Sequence, residues 1–162
     1  MKVLIYQLKV ETDKNDNFKK VEKIFENYVE KENIDMVILP ECWNSKYGIK
    51  YFEKNAEVLK DEINFELDSI ENYPFTYLFL ENLSKTYPNT YIIAGTIPEK
   101  KGDKIYNSCP IFYQGQLVDI YRKINLYDIN IPGFEFYESK VLTPGDKPVS
   151  ITTQYGNIGF GI

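Results

Sequence analysis

Ile34-Asp35-Met36-Val37-Ile38-Leu39-Pro40-Glu41 decides the fold class. A near-continuous apolar run closed by proline has the character of a strand buried on both faces, because proline cannot donate to a ladder. Toward the N-terminus, residues 2–10 read as a first strand, apolar and β-branched, with Lys2 and Lys9 at its margins. Between the two, Phe18, Val21, Ile24, Phe25, Tyr28 and Val29 recur at helical spacing among charged residues. Asp16 is the expected N-cap of that helix, and Asn33 its expected end. Strand, amphipathic helix and buried strand in succession imply an α/β sheet with a crossover helix.

Residues 46–70 are mixed and charged and carry no assignment. Asn72-Tyr73-Pro74 marks a helix start, and the helix is expected to run to Tyr87, before Pro88. Tyr91-Ile92-Ile93-Ala94-Gly95-Thr96-Ile97 reads as one more buried strand, and Lys100-Lys101-Gly102-Asp103 as a turn. Residues 106–113 and 117–123 should form a hairpin around Gln114-Gly115-Gln116. Pro132-Gly133 marks another turn. Residues 149–154 and 157–162 make a last strand pair across Tyr155-Gly156. Gly156, Gly159 and Gly161 lack the dinucleotide-binding spacing and are expected to let a strand approach a neighbouring backbone closely. No repeat, low-complexity tract or linker divides the 162 residues, so a single domain is expected.

A formal charge of −5, with basic residues interleaved among acidic ones, argues against nucleic acid or an anionic membrane surface as partner. The leading apolar run is too short for a signal peptide, and no stretch approaches transmembrane length. Two cysteines, Cys42 and Cys109, make no disulfide framework. The expectation is a reduced, cytoplasmic protein, with an organelle left open. The chain has no histidine. That removes the Ser-His-Asp triad, the Cys-His dyad and most zinc sites from any mechanism it runs alone. Its base must be a carboxylate, Lys, Tyr or Cys.

Glu41 lies directly after a buried strand, where open α/β sheets place ligand-binding groups. Partial desolvation there should raise its pKa toward a value useful to a general base. The ordinary alternative is a capping or salt-bridging glutamate. Lys123, at the end of the 117–123 strand, is suited to steady an oxyanion as a fixed positive charge, or else reaches solvent as strand-end lysines commonly do. Glu138, after the Pro132-Gly133 turn, is suited to orient substrate or water, or else is a loop surface residue like Glu135. Cys42 adjoins Glu41, but neighbouring residues on an extended segment point to opposite sides, so it should face away. Cys109 reads as buried filler.

The order of these residues is more specific than any of them alone. The chain resembles the nitrilase or carbon-nitrogen hydrolase superfamily, most closely its omega-amidase branch. The similar stretches are Leu39-Pro-Glu-Cys-Trp-Asn-Ser-Lys-Tyr-Gly48, Ala94-Gly-Thr-Ile-Pro-Glu99, Ile105-Tyr-Asn-Ser-Cys109, Tyr121-Arg-Lys-Ile-Asn-Leu-Tyr-Asp-Ile-Asn-Ile-Pro-Gly133 and Glu138-Ser-Lys-Val-Leu-Thr-Pro-Gly-Asp146. Residue by residue, the resemblance implies Glu41 as general base, Lys123 as oxyanion-stabilising lysine and Glu138 as supporting glutamate. Asn125 departs from the histidine common in close relatives, at a position without an assigned catalytic role.

The implied fold is a four-layer α-β-β-α sandwich, usually dimeric, of which these residues supply the N-terminal portion. The family's nucleophilic cysteine follows a Gly-Ile pair that Gly161-Ile162 matches. The resemblance therefore implies a carbon-nitrogen hydrolase domain over 1–162, truncated on its C-terminal side and inactive alone. In the complete protein it implies amide hydrolysis with release of ammonia from a small carboxylate monoamide, in a homodimer without metal or organic cofactor. Two alternatives stand beside it. One is a nitrilase or N-carbamoyl amidohydrolase of the same superfamily; the other is a non-catalytic interaction module.

Overall fold

The computed structural model describes residues 1–59 and 74–162. Seven strands form its main sheet: β1 (Val3–Ile5), β2 (Met36–Ile38), β3 (Glu57–Val58), β4 (Tyr91–Ile93), β5 (Ile97–Lys101), β6 (Lys104–Tyr113) and β7 (Gln116–Arg122). β1, β2 and β4 run parallel, with Val3 opposite Met36 and Met36 opposite Tyr91. Parallel neighbours need crossovers, and the first is helical. Helix α1 (Lys14–Ile24) continues through a π-helical turn at Phe25–Val29 into a last turn, α2 (Glu30–Glu32), which ends on left-handed Asn33. Helices α3 (Ile49–Asn55) and α4 (Phe75–Thr86) lie between β2 and β4 in the chain.

Side chains alternate across a strand, so the sheet has two apolar faces. Val37, Leu39, Ile92 and Phe112 pack with Val21, Phe25 and Val29 and with Tyr77, Leu80 and Leu83 of α4. Met36, Tyr91, Ile93, Cys109, Ile111 and Tyr121 face the other way. Val149 and Ile151 cover them, from the hairpin of β10 (Val149–Thr153) and β11 (Gly156–Phe160). The layering is therefore α-β-β. It is mixed α/β, as expected, and in the order that the four-layer sandwich requires.

Several boundaries differ from expectation. Asp13, rather than Asp16, caps α1: its backbone is extended and its carboxylate accepts the Asn15 N–H at 2.8 Å. The first strand spans Val3–Ile5 rather than 2–10; among the described residues β1 is an edge that pairs with β2 alone. The reading of Asn72-Tyr73 lies outside the described residues, but α4 does begin just after Pro74. The Pro132-Gly133 turn joins a hairpin not foreseen from sequence, β8 (Asp128–Ile131) and β9 (Phe134–Tyr137). Gly156, Gly159 and Gly161 have open space where a Cβ would stand, so they are not close-approach glycines. Gln114 and Gly115 both take positive φ, as a two-residue hairpin turn demands.

The expected single strand over 91–97 is broken, and the break shapes the molecule. β4 and β5 lie end to end along one edge of β6, with Ile93 opposite Ile111 and Ile97 opposite Ser108. β2 pairs with β4 and β3 with β5, so the sheet forks at Ala94-Gly95-Thr96. The segment after β2 runs into that fork. Leu39 N–H donates to Ile93 O at 3.0 Å, and Thr96 N–H to Pro40 O at 3.2 Å. Gly95 has φ +53°, and a Cβ there would stand 2.0 Å from the Pro40 oxygen. Gly102, in the β5–β6 turn, has a similar φ of +56° but nothing within 4 Å. Gly102→Ala is thus expected to cost roughly 1–2 kcal/mol in denaturant unfolding of the full-length protein, the cost of the left-handed backbone alone. Gly95→Ala should cost clearly more, because backbone must also move; equal losses would contradict the fork geometry.

Candidate active site

The fork in the sheet delivers Glu41. Three contacts hold the segment around it: Gly95 beneath Pro40, the Cys42 N–H donating to Thr96 Oγ1 at 2.9 Å, and Trp43, whose indole Nε1–H donates to Ala94 O at 2.7 Å. Trp43 is fully buried, in aromatic contact with Phe18 and Phe79. The carboxylate therefore stands at the end of β2 on an anchored loop.

Lys123 follows β7 directly. Its N–H donates to Asn107 O at 2.9 Å, and its carbonyl accepts the Gly145 N–H at 2.8 Å. A Cβ on Gly145 would lie 2.2 Å from the Arg122 oxygen, so glycine is required for this approach. One residue earlier, Arg122 forms a forked ion pair with buried Glu99, and Ser108 Oγ donates to the same carboxylate at 2.5 Å. The hydrogen bond from Arg122 to Glu99 is the chief reason that the guanidinium's pKa lies above its ordinary value. Alternation along the strand sends Tyr121 to the opposite face, toward the β10–β11 hairpin.

Glu138 opens a 3-10 turn at the base of the β8–β9 hairpin and is fully buried. It accepts from Tyr47 Oη at 2.7 Å and from the Tyr127 N–H at 2.6 Å. Tyr47 stacks on Phe136 and meets Phe52 edge-on. Burial, reinforced by the Glu138 carboxylate, pushes the Tyr47 hydroxyl above the tyrosine range, so it stays a donor at any working pH.

These elements bring Glu41, Lys123 and Glu138 to one point. Lys123 Nζ lies 3.2 Å from Glu41 Oε1 and 3.1 Å from Glu138 Oε2, with 7 % of the residue exposed. Burial disfavours its ammonium, but the hydrogen bond to Glu138 and the charges of both carboxylates outweigh it and hold the pKa above the lysine value of 10.5. Lys123 is therefore a fixed cation throughout the neutral range. Glu41 departs from expectation in one respect. Its side chain is 38 % exposed, because nothing among the described residues covers its outer side. Beside it a cavity of about 250 Å³ is lined by Ile38, Ile93, Cys109, Tyr121 and Phe160, with Gly161 and Ile162 at its wall.

Cys42 is buried away from this centre, against Phe52 and Leu142, with Sγ 3.7 Å from Thr96 Oγ1. It sits at φ +50° in a turn, so the turn rather than strand alternation directs it there. Burial raises its thiol, and that of Cys109, from 9.0 to about 12. Both are neutral thiols at working pH and poor nucleophiles. Iodoacetamide at pH 8 should leave both unlabelled in the native full-length protein and label both in denaturant, as read by peptide mapping. Unfolding returns each thiol to its ordinary pKa, so they withdraw stability as pH rises from about 9 toward 12. Native labelling of either would contradict the assignment.

Sequence reasoning gave no role to Asn107 or Tyr47, although both stand in the stretches that carry the family resemblance. Asn107 Nδ2–H donates to Glu41 Oε1 at 2.8 Å.

Comparison with known proteins gives the family of the chain. The family model described as carbon-nitrogen hydrolase matches residues 2–162. Omega-amidase NIT3 of Saccharomyces cerevisiae is 38 % identical over all of this chain and 54 % of its own length. The chloroplastic omega-amidase of Arabidopsis thaliana is 40 % identical over 96 % of this chain and 40 % of its own. The crystal structure of yeast Nit3, a branch 10 member of the nitrilase superfamily, superposes with a TM-score of 0.79 at 32 % identity, covering 99 % of this chain and 54 % of that one. The chain thus spans about half the length of the curated relatives it matches. No helix among the described residues is long and apolar enough to cross a membrane.

Proposed function

The chain belongs to the carbon-nitrogen hydrolase family, and from that premise we propose that residues 1–162 are the N-terminal part of an omega-amidase-like domain that hydrolyses a small carboxylate monoamide with release of ammonia. The observation that carries the reading is the Lys123 ammonium held between the carboxylates of Glu41 and Glu138. A base and a fixed cation within hydrogen-bond reach of each other, at the edge of a cavity, are what two-step acyl transfer requires. The nucleophile in this proposal is a cysteine thiol that follows Ile162, supplied with the remainder of the domain.

Glu41 takes the thiol proton as sulfur bonds to the amide carbonyl carbon. Lys123 steadies the oxyanion that forms on the carbonyl oxygen. The C–N bond then breaks, and the nitrogen leaves as ammonia with the proton that Glu41 held. Water, deprotonated by the same carboxylate, attacks the thioester, and the acid and the free thiol are released. Glu138 is the supporting group: it neutralises and aims the lysine and touches no reacting atom. Cytoplasmic location, homodimeric assembly and independence of any cofactor belong to the same proposal.

The test is ammonia release by the full-length protein from alpha-ketoglutaramate, a short dicarboxylate monoamide, set beside a short nitrile and an N-carbamoyl amino acid. Turnover of the monoamide is expected. Turnover of only the nitrile or only the carbamoyl compound would assign a sister activity, and turnover of none would favour an interaction module.

A further inference from the structure

We infer that Asn107 is the positioning residue of the Glu41 base, fixing which of its oxygens handles the proton. The inference rests on Glu41 acting as base and goes beyond it. Asn107 lies in the middle of β6, opposite Pro98 of β5, and is 1 % exposed. Its two ends serve the two halves of the site. The backbone carbonyl accepts the Lys123 N–H at 2.9 Å, while the side-chain Nδ2–H donates to Glu41 Oε1 at 2.8 Å. Oε1 also receives the Lys123 ammonium at 3.2 Å, so that oxygen is saturated with donors. No partner is recorded for Oε2 among the described residues, which leaves it as the atom to take a proton.

The remaining atom of the amide strengthens the point. Asn107 Oδ1 is buried and makes no hydrogen bond among the described residues. An unpaired buried acceptor is destabilising, and a leucine of similar volume would remove it. Buried polar groups that break the rules of packing are expected where function requires them. The service visible here is the bond to Glu41. A carboxylate as exposed as this one has free rotamers, and a single donor from a rigid central strand selects one.

The test uses Asn107→Leu and Asn107→Asp in the full-length protein, each alone and combined with Glu41→Gln. Asn107→Leu keeps the volume and removes the donor. It is expected to lower kcat about 10- to 100-fold with KM little changed, the scale of a slightly misplaced catalytic group. Its melting temperature should be equal or higher. Asn107→Asp keeps the shape but sets a carboxylate against Glu41, and should lose more than Asn107→Leu. In the Glu41→Gln background neither change should lower kcat further, because both act through the carboxylate. Equal losses with and without Glu41, or an unchanged kcat in Asn107→Leu, would overturn the inference. An undiminished Glu41→Gln single variant would overturn the base assignment itself, a distinct result.

Discussion

Glu41→Gln in the full-length protein is expected to lower kcat by three or more orders of magnitude while leaving the fold intact. General acid–base catalysis contributes about 10²–10⁴-fold per step, and in the proposed cycle one carboxylate works in both acylation and deacylation. The side chain is partly exposed, and its recorded contacts are with Lys123 and Asn107. Glutamine preserves the shape and can still accept from either donor, so the melting temperature should move little. A loss confined to KM would make Glu41 a binding group. A loss accompanied by unfolding would make it structural.

Lys123→Met should damage activity and stability together. Removing a group that stabilises an oxyanion costs about 10²–10³-fold in kcat. The stability effect follows from what is left behind. Glu138, fully buried, would keep the Tyr47 hydroxyl and the Tyr127 N–H but lose its only cation among the described residues. Breaking a buried ion pair from one side costs about 3–5 kcal/mol, because the remaining charge is uncompensated. Pairing the change with Glu138→Gln should recover part of the stability and none of the activity, since the oxyanion still lacks its cation. A lysine whose removal leaves stability untouched would contradict the buried geometry. Full recovery of activity in the double variant would contradict its role.

The contrast between the two expectations comes from burial, and burial was only partly legible in the sequence. The run from Ile34 to Glu41 and the helix period after it placed β2 and its crossover, because hydrophobic spacing reports strand and helix directly. The hairpin around Gln114-Gly115 was legible for the same local reason: turn chemistry lies in the turn residues themselves. The fork at Ala94-Gly95-Thr96 was not. Nothing in an apolar run says that its middle must bend to admit the backbone of Pro40, 55 positions before Gly95. Gly95 was the signal, and its meaning depends on Pro40 arriving beside it. Gly145 is a second case, since its contact is the carbonyl of Arg122. The glycines near the C-terminus attracted attention by their spacing, yet a Cβ on any of them would meet nothing.

The site shows the same division. Glu41, Lys123 and Glu138 could be named because each ends or begins a recognisable element and because the stretches containing them resemble a known family. That they converge is a tertiary fact: β7, the β8–β9 hairpin and the fork must all meet. Asn107 and Tyr47 carry no such signal, because an asparagine in a strand and a tyrosine in a loop are common. Only their partners, Glu41 and Glu138, distinguish them.

The most direct measurement is the mass of the full-length protein quenched during turnover of a monoamide, with the acyl group mapped to a residue by peptide sequencing. The account predicts a thioester adduct on a cysteine following Ile162, accumulating when deacylation is slowed and absent in Glu41→Gln. An adduct on Cys42 or Cys109, or steady turnover with no covalent intermediate, would contradict it.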